Sequence, residues 1–397
     1  MPARTTLLPD PPAAERTFTI VSVDDHLIEP RHLFVGRMPD ALAPLAPRVI
    51  EDELGNELWE FDGEHYPQVG LNAIAGRPKD EWSLEPARFD EMRRGCYDAD
   101  ARVHDMDLDG VYASLCFPSL IAGFAGTVFA RTSDPDLGLA CVRAWNRWMH
   151  EEWAGAHPTR LLANQLPWLL DPEVAAAEIR ANSARGFVAV SFPENPVDLG
   201  LPSMHTEHWD PFLRACEETE TVVCLHNASS SWTASRSPGA PLELYTTLFP
   251  VNAMVAAADW LWARIPTRFP SLNVAFSEGG IGWVPMLLDR IDYVLDHSAS
   301  GPSTWTDTDI SPSDALRRNF WFCTIDISST FELRDHIGVD HIMVETDYPH
   351  ADSTWPDTQA RARRDLAGIK DKEIRMVTWE NASRLFRHPV PTELRIP

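Results

Sequence analysis

Eight short apolar runs, each followed by a stretch with helical character, constrain this chain more than any other feature. They lie at residues 18–26, 111–117, 161–168, 187–192, 221–226, 272–277, 319–325 and 341–345. Each is apolar throughout rather than alternating, as expected of a strand buried on both faces. Helices are expected between them at 100–109, 134–155, 171–185, 209–220, 251–265, 283–297 and 330–337, with a helical region at 356–386. Asp134 before Pro135, and Asp171 before Pro172, supply a capping side chain and a first-turn proline. Continuous apolar strands separated by helices give a parallel sheet. Eight such units close most naturally into a (β/α)8 barrel, an α/β fold. An open doubly wound sheet is the alternative, but the chain has no G-x-G-x-x-G or G-x-x-x-x-G-K-[ST] phosphate loop to support it.

Residues 1–17 read as a flexible leader and 18–397 as a single barrel unit. Residues 31–98, irregular and rich in Pro, Gly and acidic side chains, read as an insertion that covers a site. The net charge of −25 argues against nucleic acid and against anionic membrane surfaces, both of which need clustered Lys and Arg. The six cysteines show no C-x-x-C spacing, which fits buried thiols in a reducing setting. The first residues lack the apolar core of a signal peptide, and no uninterrupted apolar stretch is long enough for a bilayer. A soluble, cytoplasmic protein is expected.

The barrel reading carries its own test, because functional groups of such barrels lie at the C-terminal ends of strands. The first run turns abruptly polar at Asp24-Asp25-His26. Period 2 sends Asp24 and His26 to one side and Asp25 to the other. The fourth run ends in Glu194-Asn195, the fifth in His226-Asn227 and the sixth in Ser277-Glu278-Gly279-Gly280. Thr324 and Asp326 follow the seventh, and Glu345-Thr346-Asp347-Tyr348-Pro349-His350 the eighth. Singly, each has a bland explanation as a cap, a turn residue or a core histidine. Together, histidines and carboxylates converging on one barrel mouth are better explained as a metal site. His65, His205, His208 and His297 are expected on loops or the surface.

Four segments, Asp24–Pro30, His104–Val111, Phe276–Trp283 and Thr346–His350, make the chain resemble the amidohydrolase-2 family, the branch related to aminocarboxymuconate-semialdehyde decarboxylase. The resemblance implies a distorted (β/α)8 barrel. It also implies that Asp24 and His26 are the first two metal ligands, that His226 is the strand-5 ligand, and that Asp347 binds metal or orients its water. Where relatives usually carry an acid/base histidine, this sequence has Glu278. That exchange removes a group titrating near neutral pH and adds a hard oxygen ligand. Glu278, Asp347 and His226 are expected to carry the chemistry, with His350 as a further ligand and Asp25 and His104 in reserve.

So carboxylate-rich a set suits iron or manganese at least as well as zinc, and has enough charge for two ions. Some relatives with this barrel are dinuclear non-heme iron, or iron–manganese, oxygenases, so the resemblance makes such a monooxygenase the leading expectation. It would hydroxylate a bulky hydrophobic organic molecule with dioxygen and an electron donor. The alternative is a mononuclear zinc or manganese hydrolase of an amide, ester or lactone, or a non-oxidative decarboxylase. A non-catalytic partner subunit is the third reading. A homo-oligomer is expected. Fifteen tryptophans suggest an aromatic pocket, with Trp168, Trp232, Trp283 and Trp355 as its lining, beneath a mobile loop at 228–241. No G-x-S-x-G elbow supports a serine nucleophile.

Overall fold

The computed structural model describes residues 7–82, 88–230, 234, 237–297, 305–306, 309–325 and 329–396. Strand β1 (Val21–His26) opens the barrel. The insertion that follows carries an antiparallel sheet of β2 (Arg48–Glu51), β3 (Glu57–Phe61) and β4 (Glu64–Tyr66). Then come β5 (Ala113–Phe117), β6 (Leu161–Leu162), β7 (Asn164–Gln165), β8 (Ala189–Phe192) and β9 (Val222–His226). Strands β10 (Val274–Ser277), β11 (Phe320–Thr324) and β12 (Ile342–Val344) complete the set. All barrel pairings are parallel, in the orders β1-β5-β6 and β7-β8-β9-β10-β11-β12. Since only Ala163 separates β6 from β7, these two are one interrupted strand, and the barrel has the expected eight.

The ring closes between its last and first strands without a regular ladder. His26 N–H donates to the Tyr348 carbonyl (2.7 Å) and Asp347 N–H to the Asp24 carbonyl (3.0 Å). Both bonds lie beyond the end of β12, in the loop that follows it. Inside the barrel pack Val21, Val23, Leu115, Cys224, Ala275 and Met343, and a larger apolar layer lies between strands and helices. The C-terminal segment seals the bottom, with Trp379, Leu385 and Phe386 joining the interior cluster.

One irregularity decides which way β1 aims its polar end. Ser22 pairs with Ser114 and Asp25 with Cys116, so two β1 residues face one β5 residue. Such a bulge shifts the alternation by one. Val21 and Val23 face inward, and after the bulge Asp24 and His26 do so too, while Asp25 falls on the same side as Ser22. Asp25 then accepts from Ser22 Oγ (3.1 Å), Thr346 Oγ1 (2.6 Å) and Tyr348 N–H (3.0 Å), and from Ser114 Oγ on β5. It ties three segments of the closing seam together.

Asp134 and Asp171 cap their helices as expected, accepting from Asp136 N–H and from Glu173 and Val174 N–H. The helix expected at 134–155 runs Pro135–Trp148 and then widens at Met149–Trp153. That expected at 251–265 begins earlier, at Phe249, because Pro250 is tolerated in a first turn. The leader from Leu7 onward is tied down, with Leu8 N–H bonded to Gly76 and Ala14 N–H to Leu108. All six cysteines are buried free thiols. Among the described residues no helix is long and apolar enough to cross a membrane.

Asp25→Ala would leave the Tyr348 N–H without its acceptor and the Ser22, Ser114 and Thr346 hydroxyls with only the weaker partners Asp24 O, Cys116 Sγ and Ser22 Oγ, at about 1–3 kcal/mol for each that stays unsatisfied. Urea denaturation is expected to show a loss of at least ~3 kcal/mol. A loss below about 1 kcal/mol would remove Asp25 from the role of seam anchor.

Candidate metal centre

At the C-terminal mouth of the barrel, six of the expected side chains meet. The ligand-type atoms of Asp24, His26 and His226 lie within 4.8 Å of one another, and so do those of His26, Glu278, Asp347 and His350. His26 belongs to both groups. Its Nε2 stands 3.1 Å from His226 Nε2, 3.3 Å from Asp347 Oδ1 and 3.8 Å from Asp24 Oδ1. His226 Nε2 is 3.6 Å from Asp24 Oδ1 and 3.8 Å from Glu278 Oε2. Atoms bound about 2.1 Å from one ion at near right angles are about 3 Å apart, so these spacings fit a shared cation.

His226 is prepared as a ligand by its surroundings. Its Nδ1–H donates to the Asn227 carbonyl (2.6 Å), which leaves the Nε2 lone pair turned into the cluster. Phe124 stacks on its ring at 4.2 Å. Burial holds its pKa down at about 3, against the pull of Glu278, and burial likewise holds His26 well below the usual histidine range, with His350 and Arg102 acting in the same direction. Both imidazoles are therefore neutral, as a metal requires. Burial works against a charge on His350, but Asp347 and Glu278 outweigh it and raise the ring to about 10. Its Nδ1 lies 3.0 Å from Asp347 Oδ1, and its ring stacks on His26 at 3.8 Å.

The carboxylates carry the strongest sign of a missing cation. Both oxygens of Asp24 are buried without a hydrogen-bond donor, and Asp347 Oδ1 makes no well-aligned hydrogen bond although His350 Nδ1 lies 3.0 Å away. Burial, then Glu345, Glu278 and Asp347, push the Asp24 carboxyl well above its usual range. Glu194, at the end of β8, is raised to about 8 by burial and by Glu278. A buried charge with no partner is costly, and a divalent ion among these oxygens would remove that cost. The donor set therefore fits a hard or borderline divalent metal.

Two of these carboxylates sit on unusual backbone. Glu278 and Asp347 both have φ of 54°, in the left-handed region that residues with a Cβ rarely adopt. The next residue, Gly279, is required by space, since a Cβ there would lie 2.5 Å from Ala253 Cβ. The Glu278 N–H donates to Glu345 Oε2 (3.2 Å), which helps to hold the turn.

Three expectations are corrected. His104 lies on the outer face of the helix Ala99–Asp109, where its side chain is 57% exposed and pairs with Asp10 at 3.1 Å; it is remote from the cluster. Asp25 points away from the cluster because of the β1 bulge. Trp168 and Trp283 are buried in the core. Trp168 packs where a Cβ on Gly138 would meet its ring at 2.9 Å. Trp283 donates to the Gly279 carbonyl (2.8 Å) and packs on Phe276 and Phe322. Trp232 and Asp326 lie outside the described residues, as does much of the loop 228–241.

Sequence reasoning missed the buried stripe behind the site. Arg102, Asp105 and Asp109 share one buried face of the Ala99–Asp109 helix. Arg102 donates to the Gly95 carbonyl (2.7 Å), to Cys116 Sγ (3.1 Å) and to the His26 carbonyl. Asp105 accepts from Tyr348 O–H (2.5 Å) and pairs with Arg93. The signal was present as charges at i, i+3 and i+7, a spacing that puts them on one face.

Among the described residues, two sizeable cavities reach the cluster. A cleft of about 570 Å³ reaches Glu278, Glu345 and Asp347, with Phe249, Ile325 and Arg361 among its walls. A smaller one of about 280 Å³ reaches His350 and is lined by Arg77, Lys79, Trp82 and Trp355.

With this geometry in view, the likenesses to known proteins become informative. The family model described as amidohydrolase matches residues 56–388. The chain belongs to this family. β1, with Asp24 and His26, precedes the matched span, and its place in the barrel rests on its pairing with β5. No curated protein sequence matches. Among solved structures, an amidohydrolase from Mycobacterium avium subsp. paratuberculosis superposes with a TM-score of 0.72 at 21% identity, covering 94% of this chain and 100% of that one. A 2,6-dihydroxybenzoate decarboxylase from Rhizobium gives 0.62 at 18%, covering 93% and 99%. A 5-carboxyvanillate decarboxylase from Novosphingobium aromaticivorans, with bound manganese and a nitrobenzoic acid, gives 0.65 at 15%, covering 95% and 99%. All three share the amidohydrolase barrel.

The strained turn at Glu278 can be measured directly. Glu278→Ala and Glu278→Gly both remove the carboxylate, but only glycine tolerates φ of 54° without strain. In chelator-treated protein, Glu278→Gly is expected to be the more stable of the two by about 1 kcal/mol in urea. The reverse order would show that the turn is unstrained.

Proposed function

We propose that this amidohydrolase-family chain is a divalent-metal-dependent enzyme that decarboxylates a small aromatic acid without an oxidant. The reading is carried by one observation: neutral His26 and His226 meet buried Asp24 oxygens that have no donor and a buried Asp347 oxygen without a well-aligned one. His26, His226 and Asp347 would hold the ion, with Asp24 and Glu278 on its carboxylate side. When bound, a divalent ion supplies positive charge for an anionic substrate and Lewis-acid stabilisation of charge that builds on it. Manganese suits this mixture of imidazole and carboxylate, and the manganese-bound decarboxylase with the same barrel supports both the metal and the substrate class.

Decarboxylation breaks the bond between a ring carbon and its carboxylate and adds one proton to that carbon. No electron donor is needed. Glu278 and Asp347 are the residues that belong to the ligand cluster and also line the larger cleft. Delivery of the proton is therefore assigned to a Glu278 oxygen, which takes over from the histidine that relatives are expected to carry there.

A second reading, a dinuclear oxygenase, is favoured by one specific feature: two ligand groups share His26, and the carboxylates exceed what one divalent ion neutralises. Metal analysis and turnover separate the two. The purified protein is expected to hold one manganese per chain, and to release CO2 from hydroxybenzoates equally well with and without oxygen. His226→Ala and Asp347→Ala are expected to lose the metal, and His104→Ala to keep it. Two irons per chain, with turnover that stops when oxygen is removed, would replace the first reading by the second.

A further inference from the structure

We propose that Arg361 is the specificity-determining residue of the larger cleft, an anchor that selects aromatic substrates with a second acidic group. The near end of the cleft, at Glu278 and Asp347, takes its meaning from the metal reading above. The case for Arg361 stands on separate observations.

Arg361 sits on the helix Thr358–Asp365, whose first turn is clamped to the barrel. Thr358 N–H donates to Asp109 (3.0 Å). The Gln359 side chain accepts from Thr17 and Phe18 N–H (2.8 and 3.0 Å) and donates to the Phe18 and Gly110 carbonyls (3.0 and 2.8 Å). A helix fixed in this way holds the base of Arg361 in place at the cleft wall. The neighbouring cation, Arg364, is already committed to Asp365 through two bonds of 2.7 and 3.1 Å. Among the described residues Arg361 makes no side-chain hydrogen bond or ion pair, although it lines the same space as several carboxylates. Its planar fork of donors matches a carboxylate in a way that a lysine does not.

The other lining residues set the character of the occupant. Phe249 and Pro250 offer flat apolar surface, and Thr246 and Thr247 offer hydroxyls. A single aromatic ring fits between such walls, with one acidic group toward the ligand cluster and another toward Arg361. The class is therefore an aromatic diacid, or an aromatic acid with a second ionised substituent. An anion enters this acidic cleft readily only when a cation has neutralised its near end.

Isophthalate and benzoate, which differ by one carboxylate, are suitable calorimetric probes for the manganese-loaded protein. Wild type is expected to bind isophthalate at least ~10-fold more tightly than benzoate, the scale of one charge-assisted pair. Arg361→Gln is expected to abolish that preference while leaving manganese content and benzoate affinity unchanged. Arg361→Lys is expected to restore only part of it. A preference absent from wild type, or equal in wild type and Arg361→Gln, overturns the assignment. The two readings fail separately. If manganese is retained without the preference, the subsite falls and the metal centre stands. If the preference depends on Arg361 in protein that holds no metal, the metal centre falls and the subsite stands.

Discussion

The seam between the last and first barrel strands governs both the fold and the candidate centre. β12 is short, Ile342–Val344, and its side of the ring is joined to β1 by backbone bonds made after the strand has ended. Those bonds run from His26 to Tyr348 and from Asp347 to Asp24, so three of the four residues in the closure are ligand candidates or their immediate carriers. Barrel closure and ligand placement are one event. Asp25 reinforces the same seam from the other face, and Arg102 holds the His26 carbonyl from behind. Rigid support of this kind positions side chains more precisely than a free loop can.

Electrostatics sets the second condition. Asp24, Asp347, Glu278 and Glu345 crowd one small volume, and the two buried histidines at its centre are held neutral by burial. His350 is the one histidine of the cluster whose pKa is raised, and one imidazolium does not neutralise so many carboxylates. Folding without a metal therefore leaves buried charge uncompensated or forces protons onto it, each at a penalty of several kcal/mol. A bound ion that prefers the folded site converts that penalty into stabilisation. The left-handed backbone at Glu278 and Asp347 belongs to the same economy of strain at functional sites.

Much of this was legible in the sequence, and the omissions have physical causes. Strands β1, β5 and β9 to β12 stand out because burial on both faces makes them continuously apolar. The grouping of His26, His226, Glu278 and Asp347 follows from their place at strand ends. The β1 bulge was not legible, because one extra residue leaves no mark in composition; period 2 gave the right sides for Asp24 and His26, but the inward aim of the pair depends on the bulge. His104 was over-read because histidine is a ligand type, whereas its helix buries Arg102 and Asp105 and exposes His104. Trp168 and Trp283 were over-read for a similar reason: they fill gaps in the core, whereas Trp355 lines the smaller cavity and Phe249, Pro250 and Ile325 the larger. The β2-β3-β4 sheet is hard to read within the irregular insertion, since its outer strands are short and half polar.

The two cavities that reach the cluster imply an order of assembly. The larger cleft reaches Glu278, Glu345 and Asp347, and the smaller one reaches His350 past Arg77 and Lys79. An organic anion approaching the larger cleft of the metal-free chain meets several carboxylates there, and like charges within a few ångströms in a partly dry site repel strongly. Arg361 alone does not offset that repulsion. Once a divalent ion occupies the cluster, its side of the cleft turns from repulsive to attractive, and the cleft then holds two positive groups among partly apolar walls. Metal before substrate is the sequence that this charge distribution dictates, and the same distribution makes a diacid a better occupant than a monoacid.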